Sequence, residues 1–158
     1  MAAELGQDPM HTLALRAQSC VDAERTTIYQ IDRAANEIFS RVALGLEPSA
    51  VIRLPLSRGL IGFVARTGRT LRLRDAYNDP RFDQSTDRRT GYRTRSMLCV
   101  PITAPDGKVV GAIQAINKYN GVFTDSDERE LLALCPEAAN LLAMESPPLQ
   151  DAGRAQQA

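Results

Sequence analysis

The sequence predicts an α+β fold in which helices pack on an antiparallel β-sheet. The chain has 158 residues, of which 44% are hydrophobic and 24% charged, as is typical of one soluble globular domain with a single core. The predicted elements run in the order helix, three strands, helix, irregular segment, two strands, helix. Between the last two strands, Ala104-Pro105-Asp106-Gly107 has the residues of a tight turn and predicts a hairpin.

The first third of the chain is predicted to form a helix and three strands. Residues 25–32 are rich in β-branched and aromatic side chains, which predicts a strand. Further strands are predicted over residues 37–43 and 50–54. The third strand is expected to stop at Pro55. A helix over residues 10–21 precedes them, because apolar residues recur there at helical spacing: Leu13, Ala14, Ala17 and Val21.

The middle of the chain combines a short helix with a long irregular segment. Ser57 suits the N-cap of the helix, and Gly68 suits the left-handed position after its end. Residues 69–94 are expected to form short helical turns over the surface. Strands over 96–102 and 108–117 then complete the hairpin. We expect the helix and the irregular segment to cover one face of the sheet and to leave room for a pocket.

A long amphipathic helix is predicted over residues 125–144. Its first turn is acidic, which the helix dipole favours, and Pro136 is expected to kink it. Residues 1–9 are expected to be a disordered N-terminus, residues 10–144 the domain, and residues 145–158 a disordered tail or linker. The apolar face of the helix consists of Leu131, Leu134 or Cys135, Ala138 and Leu142.

The charge balance and hydropathy of the chain exclude several classes of partner. Nineteen basic residues balance nineteen acidic ones, so a broad electrostatic contact with nucleic acid or with an anionic membrane is not expected. No apolar stretch approaches the ~20 residues of a transmembrane helix. The first ten residues lack the pattern of a secretory signal, so we expect a cytoplasmic location.

The histidine and cysteine content argues against most enzyme classes. His11 is the only histidine, which disfavours metal sites and nucleophiles that depend on a buried imidazole. Cys20, Cys99 and Cys135 lie far apart, with no CxxC pair, as fits a reducing compartment without disulfides. We therefore expect a protein that is not an enzyme, holds no metal and requires no cofactor.

Spaced motifs over roughly residues 20–144 resemble one known family. Asn117-Lys118, then Phe123, then Asp127-Glu128 reproduce the NKxnFx3DE signature. This signature is typical of GAF domains in cyclic-nucleotide phosphodiesterases and adenylyl cyclases, and the chain resembles such a domain without an attached catalytic domain. The resemblance extends through Gly59-Leu60-Ile61-Gly62, Thr67-Gly68, residues 75–82, Asp87, residues 90–94 and residues 98–102.

The resemblance implies a fold, a ligand and an output. The fold would be the PAS/profilin-like fold of GAF domains, a six-stranded antiparallel sheet with helices on both faces. Members of the family enclose a small ligand, often cAMP or cGMP, between the sheet and the irregular segment. They usually pair as homodimers through their terminal helices. Occupancy of the pocket would then be passed to an effector domain or protein by a rearrangement of the dimer.

The resemblance also implies ligand-binding residues. In this family the irregular segment contributes an aspartate and two threonines, which here are Asp87, Thr90 and Thr94, and Thr27 matches a polar position on the pocket floor. Hydroxyl and carboxylate groups can fix a purine or a ribose by directional hydrogen bonds. A second interpretation stays open, since Asp87 and Thr90 are also residue types that cap short helices.

The start of the helix after Ser57 offers a further candidate site for an anion. Its first N–H groups have no partner within the helix and lie at the positive end of the dipole, so a cyclic phosphate could bind near Leu60 and Ile61. The same donors could equally face water, and the sequence does not distinguish the two.

The signature itself is interpreted as a structural latch. Lys118 at a strand end and Asp127 in the first turn of the last helix could form an ion pair, with Phe123 buried beneath the connecting loop. Such a pair contributes roughly 0–1 kcal/mol when exposed, whereas breaking a buried one costs about 3–5 kcal/mol.

Three residues depart from the pattern of nucleotide-binding members. An aromatic residue and an aspartate are found where this chain has Ala43 and Leu44, and a tyrosine near the phosphate is replaced by Asp83. Purine recognition is therefore only partly supported. Between residues 66 and 95 there are nine arginines against four aspartates, an excess that is interpreted as a solvated surface rather than an anion site.

Three functional hypotheses follow. The first is a regulatory domain that senses a cyclic nucleotide or similar ligand. The second is a dimerisation or relay domain with a vestigial pocket, which Ala43 and Leu44 favour. The third is a free methionine-sulfoxide reductase, a GAF-fold enzyme that needs an exposed nucleophilic cysteine, whereas Cys99 and Cys135 are placed as core residues.

Overall fold

The computed structural model describes residues 8–45 and 51–144 of the chain. Its helices and strands, in chain order, are α1 (Pro9–Val21), β1 (Ala23–Asp32), β2 (Glu37–Leu44), β3 (Arg53–Pro55), α2 (Gly59–Thr67), β4 (Leu71–Leu73), a 3-10 helix (Ala76–Asn78), α3 (Ser85–Thr90), β5 (Met97–Thr103), β6 (Val109–Lys118) and α4 (Asp125–Met144).

The six strands form one antiparallel sheet in the order β3-β2-β1-β6-β5-β4. The predicted α+β class and the six strands that the resemblance implied are both confirmed. The hydrophobic pattern alone predicted five strands and missed β4, which lies inside the segment expected to be irregular. β4 has only three residues and forms by pairing with β5, Leu71 opposite Cys99 and Leu73 opposite Met97. A strand of this length is too short for an alternation of apolar and polar side chains to be recognised in the sequence.

Several predicted boundaries need correction. Ser57 is not the N-cap of α2, because that helix begins two residues later, after Arg58, without a side-chain cap. β3 begins at Arg53 and includes Pro55, which pairs with Glu37 at the sheet edge, where a missing N–H is tolerated. α1 begins at Pro9, which had been assigned to the disordered N-terminus, and Asp8 caps it. The other residues of the predicted N-terminus and the predicted tail over 145–158 lie outside the described residues.

Each face of the sheet carries its own hydrophobic cluster. Ile28, Leu98 and Ile113 pack under α1 and α4, on what we call the terminal-helix face. Tyr29 and Cys99 pack under α2, on what we call the lid face. Neighbouring strand residues thus alternate between the two clusters, as the pleat of a sheet requires.

The long helix α4 packs as predicted on the terminal-helix face. Leu131, Cys135, Ala138 and Leu142 are buried, the first turn is acidic, and the helix continues through Pro136. Its C-terminal part approaches the sheet at Gly111, where an added Cβ would overlap the Tyr29 carbonyl oxygen and lie 2.9 Å from Leu142 Cδ1. No helix within residues 8–45 and 51–144 combines the length and the apolar character needed to cross a bilayer.

Candidate functional site

A row of paired residues crosses the lid face through its centre. β1 places Thr27 opposite Ala43 of β2 on one side and opposite Gln114 of β6 on the other, and Gln114 in turn lies opposite Cys99 of β5. Thr27 and Gln114 are both buried although they are polar. The row therefore forms a partly polar floor within an otherwise apolar layer.

Gln114 is the residue of this floor that the sequence interpretation missed. Its Oε1 accepts a long hydrogen bond of 3.4 Å from the Tyr29 hydroxyl, and its Nε2 lies 3.6 Å from Met97 Sδ, a weak acceptor. Burial raises the pKa of Tyr29, so this phenol is a neutral donor. The available signal was one amide side chain in the middle of an apolar strand, Gly111 to Ile116.

The lid covers this face and consists of residues 76–96, which include the 3-10 helix and α3. Asp87 of α3 connects this helix to the 3-10 helix and to the segment that follows α3. One carboxylate oxygen accepts from the Tyr77 hydroxyl at 2.8 Å and from the Thr94 amide at 2.7 Å, and the other accepts from the Thr94 hydroxyl at 2.9 Å. This bond to Asp87 raises the pKa of Tyr77. Both Asp87 and Thr94 are buried and satisfied within the lid.

The remaining predicted ligand residues have other contacts. Thr90 is exposed, and its hydroxyl donates to the Thr86 carbonyl at 2.8 Å, as in the capping alternative. The side chains of Leu60 and Ile61 are buried in the apolar cluster of the lid face, so only their backbone N–H groups could meet a ligand. Thr27 is the one of the six predicted residues whose side chain lies on the polar floor. The structure therefore does not bring the six side chains together.

The structure also shows where the three residues lie that depart from the nucleotide-binding pattern. Ala43 lies opposite Thr27 and adds only a methyl group to the floor. Leu44 packs on the terminal-helix face, so its side chain does not lie beneath the lid. Asp83 is exposed and accepts a hydrogen bond from the Ser85 amide, which lowers the pKa of its carboxyl and stabilises the start of α3.

Asn117, the first residue of the signature, attaches the end of the lid to the sheet. It is fully buried with φ of 61°, and its Oδ1 accepts from the Arg95 amide at 2.6 Å. Its Nδ2 donates to the Arg93 carbonyl at 2.8 Å and lies 2.9 Å from the Tyr92 hydroxyl. A single side chain thus holds residues 92–95 against the end of β6.

The other signature residues join the two terminal helices. Lys118 Nζ lies 2.9 Å from Asp127 at the start of α4, and it donates to the Val21 carbonyl at the end of α1 at 3.0 Å. The exposed fractions of the Lys118 and Asp127 side chains are only 18% and 9%. Phe123 is buried, with the Lys118 ammonium 5.9 Å from its ring centre. The structure thus contains the ion pair that the latch interpretation requires.

Glu128 and Asp125 extend this connection to the sheet edge. Arg72 of β4 contacts Glu128 at 3.3 Å and Asp125 at 2.7 Å. Asp127 also closes the first turn of α4, because it accepts from the Thr124 amide at 2.9 Å while Thr124 Oγ1 accepts from the Asp127 amide. Every residue of the signature therefore makes a contact that supports the fold.

The cysteines do not form a nucleophilic site. Burial raises the pKa of Cys99 and raises that of Cys135 to about 12, so both thiols are protonated at neutral pH. Cys20 is exposed on α1, and partial burial together with Glu130 and Asp127 raises its pKa as well. Within the described part of the chain, no cluster of His, Cys, Asp and Glu is arranged to hold a metal ion.

Comparison with known proteins identifies the family. The profile of the GAF domain matches residues 7–142, which is most of the chain. This chain is a GAF domain. It is 38% identical over 123 residues to a probable 3′,5′-cyclic phosphodiesterase of Caenorhabditis elegans, a match that covers 71% of the chain and 17% of that protein. It is 36% identical over 128 residues to the dual 3′,5′-cyclic-AMP and -GMP phosphodiesterase 11A of Takifugu rubripes, covering 73% of the chain and 14% of that protein.

Solved structures agree on the fold. The GAF domain of a phosphoenolpyruvate-protein phosphotransferase from Coxiella burnetii has a TM-score of 0.78 at 20% identity, and covers 90% of this chain and 88% of its own. A type II free methionine-R-sulfoxide reductase from Thermoplasma acidophilum has a TM-score of 0.72 at 15% identity, with coverage of 89% and 94%. At such identity these likenesses show the fold alone. GAF domains of the phosphodiesterase type are regulatory and sensory domains rather than catalytic ones.

Proposed function

We propose that this GAF domain is a regulatory module that binds a small ligand between the lid face and the lid, and that a cyclic nucleotide, cAMP or cGMP, is its first candidate ligand. The observation that carries the proposal is the pair of buried polar side chains, Thr27 and Gln114, which lie opposite each other on the floor. The hydrogen bonds of Gln114 are long or made to sulfur, so polar groups of a ligand would be better partners for this amide.

The relatives support the choice of ligand. Both curated relatives are named as phosphodiesterases of cyclic nucleotides, and they share with this chain a segment that makes up less than a fifth of their own length. A domain that such enzymes share is a candidate binding site for a nucleotide that regulates their activity. The lid adds further support, because Asp87 and Thr94 bond to each other within it and hydrogen bonds of Asn117 attach its end to the sheet.

Occupancy would be transmitted through two adjacent residues. Asn117 holds residues 92–95 of the lid, whereas Lys118 holds the end of α1 and the start of α4. A shift of the lid on ligand binding would therefore reach the terminal helices across a single peptide bond. These helices would pass the signal to an effector domain or protein.

Isothermal titration calorimetry with cAMP and with cGMP tests the proposal. We expect the wild-type domain to bind one of them, and Gln114→Leu and Thr27→Val to weaken that binding at least tenfold, because each removes a polar group from the floor. Thr90→Ala serves as the matched control and should bind normally, since Thr90 is exposed. Absence of binding heat with both nucleotides at millimolar concentration would contradict the cyclic-nucleotide proposal.

A second candidate function is dimerisation and signal relay without a ligand. Its support is the set of large apolar side chains that stay exposed on the terminal helices: Leu15 at 50%, Leu132 at 38% and Met144 at 79%. Sedimentation equilibrium of the wild-type domain and of Leu15→Glu and Leu132→Glu tests it. A dimer that the glutamates dissociate, together with no thermal shift across a metabolite panel, would favour relay over sensing.

A further inference from the structure

The nine arginines between residues 66 and 95 fall into two groups. Four are held by acceptors of the domain itself: Arg66 by the Leu56 carbonyl, Arg72 by Asp125 and Glu128, Arg81 by Asp79, and Arg95 by Glu24. Of the five others, three lie in the lid, namely Arg88, Arg89 and Arg93, and all three are exposed. Among residues 8–45 and 51–144, none forms an ion pair or a hydrogen bond with their guanidinium groups. The unpaired positive charge is therefore concentrated on the outside of the lid.

Arg88 of α3 and Arg58, which precedes α2, lie near the same carboxylate. The Ser85 amide lowers the pKa of Asp83 most, and the guanidinium groups of Arg58 and Arg88 lower it further. Asp83, Arg58 and Arg88 are all exposed, and no ion pair among the described residues joins them. One carboxylate beside two guanidinium groups leaves a net positive charge at this point of the surface.

Arg93 is positioned beside them by an aromatic ring. Its guanidinium carbon lies 3.8 Å from the centre of the Tyr77 ring. Tyr77 itself donates to Asp87 at 2.8 Å, and its ring centre lies 5.2 Å from that of Phe82. The bond to Asp87 raises the pKa of Tyr77, and the charges of Arg93 and Arg88 oppose this rise, so Arg88 lies near the same tyrosine. A guanidinium stacked on a held ring loses less conformational freedom when it binds a partner.

These five residues, which we call the arginine patch, have the composition of a protein-binding surface: Arg58, Tyr77, Phe82, Arg88 and Arg93. Arginine and aromatic side chains are enriched at the centres of protein interfaces. Tyr77 and Phe82 are half-buried, so a partner can still cover part of their rings. The chain as a whole has no net charge, which disfavours a long polyanion such as nucleic acid. The local excess instead matches a few carboxylates carried on a protein surface.

We propose that the arginine patch binds an acidic segment of a partner protein, whose carboxylates pair with Arg58, Arg88 and Arg93 and whose apolar side chains cover Tyr77 and Phe82. The inference goes beyond ligand sensing, because the partner contacts the outside of the lid and needs no nucleotide. Since Tyr77 is bonded to Asp87, a bound partner would also restrain α3 from the outside. The lid would then respond to a protein as well as to a ligand.

Fluorescence anisotropy of a labelled peptide tests this inference. The probe is a glutamate-rich peptide with interspersed leucines, and its counterpart carries lysine at every glutamate. We expect the wild-type domain to bind the acidic peptide and not the basic one, with an affinity that falls as the salt concentration rises. Arg88→Gln combined with Arg93→Gln should weaken binding about tenfold or more. Arg69→Gln combined with Arg129→Gln is the matched control, since it removes the same charge from exposed positions outside the patch and should bind like the wild type.

Three outcomes would overturn the inference. They are absence of binding to the wild-type domain, an unchanged Kd in the Arg88 and Arg93 double variant, and equal losses in the patch and control variants. Tighter binding of a single-stranded oligonucleotide or of anionic vesicles than of the peptide would assign the arginines to polyanions in general and would likewise exclude a protein partner. Because no nucleotide is present, none of these results bears on the proposed ligand.

A second pair of variants separates charge from stacking. Arg88→Lys combined with Arg93→Lys keeps both charges but lacks the planar group that lies on Tyr77, so it should restore binding only in part. Thermal unfolding of all variants checks their folding. It should match the wild type, because the exchanged side chains are exposed and form no ion pair with the described residues.

Discussion

The two faces of the sheet differ in what holds their covering elements in place, although the same strands supply both. On the terminal-helix face, α1 and α4 are held by a continuous apolar cluster, and even the buried Thr26 hydroxyl lacks a hydrogen-bond partner among the described residues. On the lid face, α2 packs on apolar side chains, but the end of the lid is attached to the sheet by hydrogen bonds of Asn117, and Asp87 bonds within the lid.

This difference is the physical basis of the proposed function. Apolar contact is non-directional and large in sum, so the terminal helices are fixed by burial at roughly 25 cal/mol per Å² of apolar surface. A hydrogen bond contributes only about 0.5–1.5 kcal/mol net and can be exchanged for one to a ligand. Of the two covers, the end of the lid is therefore the one that should move at the smaller energetic cost.

The largest expected effect comes from a cavity on the terminal-helix face. Leu131→Ala should lower the free energy of unfolding by about 2–5 kcal/mol, because Leu131 is fully buried between α4 and the sheet. Leu132→Ala, one residue along the same helix and 38% exposed, is the matched control and should change little. Urea unfolding followed by circular dichroism measures both. Equal losses of stability in the two variants would mean that the buried apolar cluster does not hold α4 on this face.

The next effect concerns the latch between the helices. Asp127→Ala should lower the free energy of unfolding by about 1–3 kcal/mol, because it leaves the mostly buried Lys118 ammonium without its anionic partner and removes one of the two capping bonds of α4. Asp125→Ala removes an exposed partner of Arg72 and should cost less than about 1 kcal/mol. Thermal denaturation of both variants compares them. An unchanged melting temperature for Asp127→Ala would refute the latch.

A smaller and local effect is expected in the lid. Asp87→Ala removes the acceptor of the Thr94 amide, the Thr94 hydroxyl and the Tyr77 hydroxyl, so residues 91–96 should exchange their amide hydrogens about tenfold faster. The terminal helices should exchange as before. Arg89→Gln is the control, since Arg89 is an exposed residue of α3. Faster exchange throughout the domain would mean that Asp87 supports the whole fold instead.

The smallest effect distinguishes the cysteines. Iodoacetamide at pH 8 should alkylate Cys20 alone in the native domain, because Cys99 and Cys135 are buried and their raised pKa values leave little thiolate. The reaction of Cys20 should be slower than that of a free thiol and should accelerate as the pH rises, since its pKa is raised too. Mass spectrometry counts the labels. Rapid native labelling of Cys99 would point to an opening of the lid face.

The sequence predicted those features that depend on local periodicity or on pairwise chemistry. The apolar faces of α1 and α4, five strands and the Lys118–Asp127 pair all follow from spacing and charge. Features that depend on tertiary pairing were not predictable. β4 exists because Leu71 pairs with Cys99, and the helix after Ser57 begins at a glycine rather than at the best capping residue.

The candidate site was predictable only in part, for the same reason. Asp87 and Thr94 were identified as polar residues of the lid, but the sequence did not show that they would satisfy each other. Gln114 joins the floor through strand register, which fixes the neighbours of a residue only when the partner strand is known. The polar residue inside an apolar strand was the one local signal.

In the proposed function, a ligand enters beneath the lid and the terminal-helix face remains a structural support. Hydrogen exchange of the backbone amides, measured with and without a saturating nucleotide, tests it most directly. The account predicts increased protection in residues 87–96 and at the start of β1, with smaller changes at the ends of α1 and α4 next to Lys118. Protection confined to the packed centre of α1 and α4, with none in the lid, would contradict it.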